Sequence, residues 1–291
     1  MRNGGFARSF SATRSARCSL MVIFQNVLIT SLKAKMRRER ISFERDGVRL
    51  GGTLFTPQVE TGSGGTIGVI GDRAVCLCHG IPRVAKTVEE KGYGKLAELF
   101  CERGVAALIF NFSGTAGSGG YFSLRSWSAD LRAAVNFLLS ERGVRKVGVV
   151  AFSGGAVVAV YNAAHDARIK VLAACSCPAA LRLDPEAFKM FIREHGSLRV
   201  RDVNEFIKEF AAEAEEMKPL RWIRNVKQPL LIMHGELDEL VNVKDAYELF
   251  RAAGSLEKEL FIVEGAGHRI RENNAAMRLL ADWVTRKLLR D

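Results

Sequence analysis

The chain has 291 residues, 48% of them apolar, and a formal charge of +11. That length and apolar content suit one large α/β domain, or two small ones, with a well-buried core. Nine Lys and Arg lie in residues 1–40 against a single acid, Glu39, leaving 34 basic and 31 acidic residues in 41–291; the body is near charge balance, and a nucleic-acid-binding stripe is excluded there.

Residues 1–39 read as a basic, Ser- and Arg-rich extension, expected to be disordered or loosely attached. Its one apolar run, Leu20 to Thr30, is interrupted by Gln25 and Asn26 and is too short to cross a membrane. No small-residue cleavage site follows, which argues against a secretory signal. The composition suits a transit peptide, but the preferred reading is a translated stretch upstream of a start at Met36. Arg40 to Thr56 predicts a β-hairpin, with alternating apolar positions around Asp46-Gly47, a type I′ turn signal. Pro57 is expected to end it, and the Gly- and Ser-rich stretch Gln58 to Asp72 to form a surface loop.

Ala74 to Cys78 predicts a short buried strand that runs into His79-Gly80-Ile81. A bend there would turn the Ile81 N–H into a site, whereas Pro82 has no N–H to give. The His79 side chain is read as structural, because a better base appears later. Tyr93 to Arg103 predicts a helix stopped by Gly104, and Val105 to Phe110 the next strand. The following loop, Asn111 to Gly120, contains Ala116-Gly117-Ser118-Gly119-Gly120, a match in letters to a nucleophile turn. It lacks a strand before and a helix directly after, so Ser118 is not taken as a nucleophile. Without a G-K-[ST] ending the loop is not a phosphate cradle either. Ser126 to Glu141 predicts a helix.

Val147 to Phe152 is an apolar run that ends on Ser153, followed by Gly154, Gly155 and the small-residue helix Ala156 to Ala164. A strand, a turn too tight for large side chains and a helix would expose the Ser153 hydroxyl at a helix N-terminus. Phe152, beside it, is expected to contribute to substrate binding. Ile169 to Cys175 predicts another buried strand. The cysteine pairs Cys76/Cys78 and Cys175/Cys177 are read as buried thiols on one strand face each. Their spacing is not that of a zinc site. Free thiols fit a reducing, cytoplasmic setting.

Residues 178–228 carry helical patterns, Pro185 to Glu194 and Val203 to Met217, but no strand. About fifty residues between two core strands predict a helical cap. Phe188, Phe191, Phe206, Phe210 and Trp222 are expected to pack it onto the body, with a few lining an acyl pocket. Pro229 to Met233 predicts a strand leading to His234-Gly235-Glu236-Leu237-Asp238, and Glu259 to Val263 the last strand, before Glu264-Gly265-Ala266-Gly267-His268. Helices are predicted over Val243–Ala253 and Glu272–Leu289. The domain division is therefore 1–39 extension, 40–177 first part of the core, 178–228 cap and 229–291 second part.

Alternation of strand and helix through 74–290 predicts an α/β fold with a mostly parallel sheet covered on both faces. Reactive groups in such sheets gather at the carboxyl ends of the strands, where His79-Gly80-Ile81, Ser153, Asp238 and His268 all fall. A serine hydroxyl needs a base, and the base a carboxylate to fix its tautomer. Glu236, Glu239, Asp245 and, more distantly, Asp184 compete with Asp238 for that place.

The leading D-G hairpin, the H-G bend, the glycine loop, A-F-S-G-G, H-G-E-L-D and G-A-G-H, in this order, resemble the α/β-hydrolase superfamily, in its esterase and serine-aminopeptidase-like branch, from Arg40 to Leu289. The resemblance implies an eight-stranded sheet and a triad of Ser153, Asp238 and His268, with the N–H groups of Ile81 and Gly154 as the oxyanion hole. It departs at Ala151, where relatives have Gly, and at Asn111-Phe112-Ser113-Gly114, where relatives often have an Asp and an Arg-Gly; the second departure puts a loop-stabilising ion pair in doubt. The expected activity is serine-dependent cleavage of a carboxylic ester or thioester through an acyl-enzyme. A peptidase or acyltransferase on the same triad is the alternative, and a non-catalytic binding protein of this fold is less favoured. A dehalogenase would want a carboxylate at position 153. The partner expected is a small-molecule ester, thioester or short peptide-like substrate, with no cofactor, metal, nucleic acid or membrane.

Overall fold

A computed structural model describes residues 36–60, 66–68, 71–182 and 184–290. The readings made on residues 1–35 lie outside the described residues. Among the described residues nine strands form one sheet: β1 (Met36–Arg45), β2 (Val48–Glu60), β3 (Thr66–Gly68), β4 (Arg73–Cys78), β5 (Ala106–Phe110), β6 (Lys146–Phe152), β7 (Ile169–Cys175), β8 (Leu230–Gly235) and β9 (Lys258–Val263). Eight follow the order β1-β2-β5-β4-β6-β7-β8-β9, and β3 pairs with β2 off that path. The β1–β2 and β2–β5 pairs are antiparallel. From β5 to β9 all pairs are parallel.

The hairpin is longer than its sequence pattern predicts. Met36 to Glu39, assigned above to the extension, belong to β1 and pair with Leu54 to Pro57. Pro57 does not end β2. The β2–β5 ladder stops at Phe55, so the missing Pro57 N–H is not called on by that neighbour. Part of the expected loop 58–72 is strand as well, with Gln58–Glu60 pairing with β3.

Alternation along each strand feeds two cores. In β4, Ala74, Cys76 and Cys78 face one, while Val75 and Leu77 face the other. The first core is covered by α2 (Leu124–Asn136), α3 (Gly154–His165) and α7 (Val243–Ala252); the second by α1 (Gly94–Cys101) and α8 (Asn274–Leu288). Cys76 and Cys78 share one face as expected, but Cys175 and Cys177 do not. Cys177 lies beyond the end of β7 and packs with the opposite core. All four are free and fully buried. Between β7 and β8 the chain forms α4 (Pro185–His195), α5 (Val203–Glu216) and the short α6 (Pro219–Trp222). Phe206 and Phe210 pack on Phe122 of the body, with ring centroids at 5.3 and 5.8 Å.

An ion pair does hold the glycine loop, and its arginine comes from the hairpin. Arg45 Nε donates to Asp130 Oδ1 at 2.8 Å. Asp130 is fully buried and also accepts the Ser113 N–H at 2.7 Å and the Ser113 hydroxyl at 3.0 Å. Burial pushes its carboxyl above the ordinary value even beside these donors. Removing one partner of a buried pair strands the other. Arg45→Met should therefore cost on the order of 2–3 kcal/mol in urea unfolding. A loss below about 0.5 kcal/mol would class the pair with solvent-screened ones.

Candidate active site

The carboxyl end of β6 makes the first element. Ser153 follows Phe152 directly and takes φ 52° and ψ −124°, a backbone conformation strained for a residue with a side chain. It is held there by its N–H donating to Cys175 O at 2.8 Å and by its carbonyl accepting the Ala156 N–H at 2.8 Å. Only glycine fits the last place of the turn. A Cβ on Gly155 would lie 2.2 Å from the His79 carbonyl oxygen, and that atom belongs to fixed backbone. At the first place, Ala151 is accommodated fully buried.

His79 braces the neighbouring bend. Its Nε2 accepts the Phe112 N–H at 3.2 Å, so the ring proton sits on Nδ1, which donates to Gly80 O at 2.7 Å. The ring is buried against Phe112 and Trp127, centroids 5.1 and 5.3 Å away. Burial pushes it down to about 3, helped by the nearby Lys91 charge. His79 is thus a neutral strut. The bend it fixes brings Ile81 against Gly154: a Cβ built on Gly154 would stand 3.5 Å from the Ile81 nitrogen. The Gly154 N–H, at the first turn of α3, has no acceptor within the helix.

Asp238 and His268 come from two loops that touch. A Cβ on Gly235 would meet the carbonyl oxygens of Ala266 and Gly267 at 2.4 Å each, which explains the glycine after His234. The Leu237 N–H donates to Ala266 O at 2.9 Å across the contact. His268 then reaches both partners: Nδ1 lies 3.0 and 2.9 Å from the Asp238 carboxylate oxygens, and Nε2 lies 3.0 Å from Ser153 Oγ. Asp238 also accepts the N–H groups of Leu240 and Val241 at 2.9 and 2.8 Å. Burial opposes its charge, but hydrogen bonds from His234, His268 and the Val241 N–H outweigh it and hold the carboxyl well below the usual carboxylate range. An ionised Asp238 fixes the His268 proton on Nδ1 and leaves Nε2 as an acceptor facing the Ser153 hydroxyl.

The rival carboxylates are engaged elsewhere. Glu236 accepts the Gly265 N–H, Glu239 the His268 N–H and Asp245 the Ala179 N–H, while Asp184 caps α4. Ser118 is locked, donating to Asn111 O at 2.5 Å and accepting the Gly51 N–H at 2.9 Å. Phe152 is buried, meets Tyr93 edge-on at 5.6 Å and lines the cavity that opens over Ser153, a space of about 1090 Å³. Phe188 and Phe191 of α4 line the same cavity.

His234 is a member the sequence reading left without a role. It is fully buried, and its Nε2–H is shared between Val241 O at 2.9 Å and Asp238 Oδ2 at 3.2 Å. Val241 O can only accept, so the proton must be on Nε2. The four-residue spacing from Asp238 within H-G-E-L-D was the available signal. Among the described residues no group of three or more His, Cys, Asp or Glu could hold a metal ion, and no helix is long and apolar enough to cross a membrane.

Residues 192–274 match the family described as serine aminopeptidase, S33. Among solved structures, the chain is similar to the Pyrococcus furiosus esterase Pf2001, at 21% identity and TM-score 0.63 over 87% of this chain and 94% of that one. It is also similar to a cold-adapted esterase from an Arctic intertidal metagenomic library, at 22% identity and TM-score 0.59 over 89% and 97%. A 2,6-dihydroxy-pseudo-oxynicotine hydrolase aligns at 18% identity and TM-score 0.67 over 86% and 68%. No curated protein sequence matches the chain. The chain has the α/β-hydrolase fold.

The depressed His79 has a consequence for stability. An unfolded histidine titrates near pH 6.5. Between that value and about 3 the unfolded chain binds the extra proton, so stability falls on acidification, by up to about 1.4 kcal/mol per pH unit. Urea unfolding between about pH 4 and 7 should therefore show a shallower acid limb for His79→Asn than for the wild type. Parallel limbs would mean that His79 is not the group buried neutral.

Proposed function

We propose that the protein is a serine hydrolase that cleaves carboxylic esters, thioesters included, through an acyl-enzyme on Ser153. The observation that carries the reading is the unbroken line Ser153 Oγ, His268 Nε2, His268 Nδ1, Asp238, with contacts of 3.0 and 2.9 Å. As Ser153 Oγ attacks the substrate carbonyl, His268 Nε2 takes its proton, and Asp238 stabilises the imidazolium. The carbonyl oxygen becomes an oxyanion that accepts from the N–H groups of Ile81 and Gly154. His268 then returns the proton to the leaving oxygen or sulfur. Water, deprotonated by His268, attacks the acyl-enzyme and frees Ser153.

Residues 178–228 act in this reading as a cap, with Phe188 and Phe191 over the acyl group and Phe152 at its base. Their presence in the cavity wall supports that assignment. An ester is favoured because its leaving group needs less protonation than an amine, and because two proteins of similar fold are described as esterases. The match of residues 192–274 to serine aminopeptidases favours a peptidase as the second reading.

The purified protein should release p-nitrophenol from short-chain esters, and a fluorophosphonate probe should label Ser153. Ser153→Ala should lower kcat/KM by at least about 10³-fold and abolish labelling. Aminoacyl anilides measured alongside decide between the two readings. Ester turnover that survives Ser153→Ala, or an unlabelled folded protein, would sink the mechanism.

A further inference from the structure

The cavity over Ser153 has one wall that the reaction does not use. Lys91 lines it, from the turn between the His79-Gly80-Ile81 bend and α1. The Lys91 amine has almost no accessible surface, toward the cavity or toward bulk water, and has no hydrogen-bond partner among the described residues. Its neighbour in sequence does not pair with it. The Glu90 carboxylate instead accepts the Thr87 N–H at 2.8 Å and the Thr87 hydroxyl at 2.7 Å.

A second cation joins from the other side. Arg271, three residues past His268, lines the same cavity and donates from Nε to the Lys91 carbonyl at 3.4 Å. Its guanidinium lies over Tyr93 at 5.5 Å, and Tyr93 in turn packs on Phe152. Glu272 is shared between Arg271 at 3.5 Å and Arg269 at 3.6 Å. The charges that act on the amine are Arg271 and Glu90, and the Glu90 carboxylate is taken up by Thr87. Burial and the Arg271 charge push the Lys91 amine down to about 8, so it still carries its proton at neutral pH. A buried ammonium without an acceptor is costly unless something supplies one.

We propose that Lys91, its side chain turning into the cavity it lines, and Arg271 form a carboxylate subsite in the same cavity as Ser153, and that the natural substrate is an ester bearing a free carboxylate. This rests on the serine-hydrolase reading above. The Lys91 amine lacks an anionic partner, and the lysine and guanidinium donors suit the two oxygens of a carboxylate. The same wall opposes a substrate with a free ammonium group, which weighs against aminopeptidase action.

The test compares two esters of equal acyl length: p-nitrophenyl hexanoate and the mono-p-nitrophenyl ester of adipic acid. The wild type should prefer the adipate by at least about tenfold in kcat/KM, the scale of a charge-assisted hydrogen bond. Lys91→Met should lower that ratio about tenfold or more. Lys91→Gln and Arg271→Leu, read by the same ratio, serve if Lys91→Met does not fold. A wild-type ratio near one, with both esters cleaved in a Ser153-dependent manner, overturns the subsite and leaves the hydrolase intact. A high ratio that none of the three variants changes also overturns the assignment to Lys91 and Arg271. Cleavage of neither ester, or cleavage that survives Ser153→Ala, overturns the hydrolase reading and the subsite with it.

Discussion

The Asp238 carboxylate is the node on which the site depends. It collects N–H donors from its own turn, from His234 behind it and from His268 in front. Fully enclosed, it would favour neutrality; so many donors keep it charged. Its charge sets the tautomer of His268, and the tautomer sets which nitrogen meets Ser153. His234 closes a ring by bonding the carbonyl of Val241, the same residue whose N–H bonds Asp238. The turn cannot relax without loosening both contacts. Cooperative networks of this kind are rigid when complete and fragile when one member is lost.

Much of this arrangement was legible in the sequence, because local signals and topology agreed. The run ending on Ser153, the two glycines after it and the H-G motifs mark tight turns, and at Gly155 and Gly235 backbone does come too close for a Cβ. The decoy at Ser118 was separable because it lacked a strand and a helix, and the hydroxyl is tied into the loop. What stayed hidden depended on long-range pairing. Nothing local tells that Arg45 on the first strand meets Asp130 on α2, or that Arg271 approaches Lys91 from 180 residues away in the chain. The alternation of the hairpin did not betray its extension to Met36 and past Pro57, since which ladder uses the Pro57 edge is decided by the neighbouring strand. The Cys175/Cys177 pair misled because a period of two holds only while the strand lasts.

The helices between β7 and β8 show how one insertion serves two cores of contacts. Phe206 and Phe210 face the body, and Phe188 joins them at 5.8 and 5.2 Å while also lining the cavity. The chamber wall is therefore continuous with the packing that holds the insertion down. A change at Phe188 would alter the shape of the chamber and the seating of α4 together.

The thiols have a further consequence. Cys76, Cys78, Cys175 and Cys177 have no exposed surface, and desolvation drives all of them toward the protonated form. Alkylating and oxidising reagents act on the thiolate, so these sulfurs stay inert while the sheet is intact. They lie on, or just past the end of, the central strands β4 and β7 that flank β6, and the centre of a sheet opens only in the largest fluctuations. The rate at which a maleimide consumes them is consequently a clock for whole-molecule opening, built into the polypeptide without any added label.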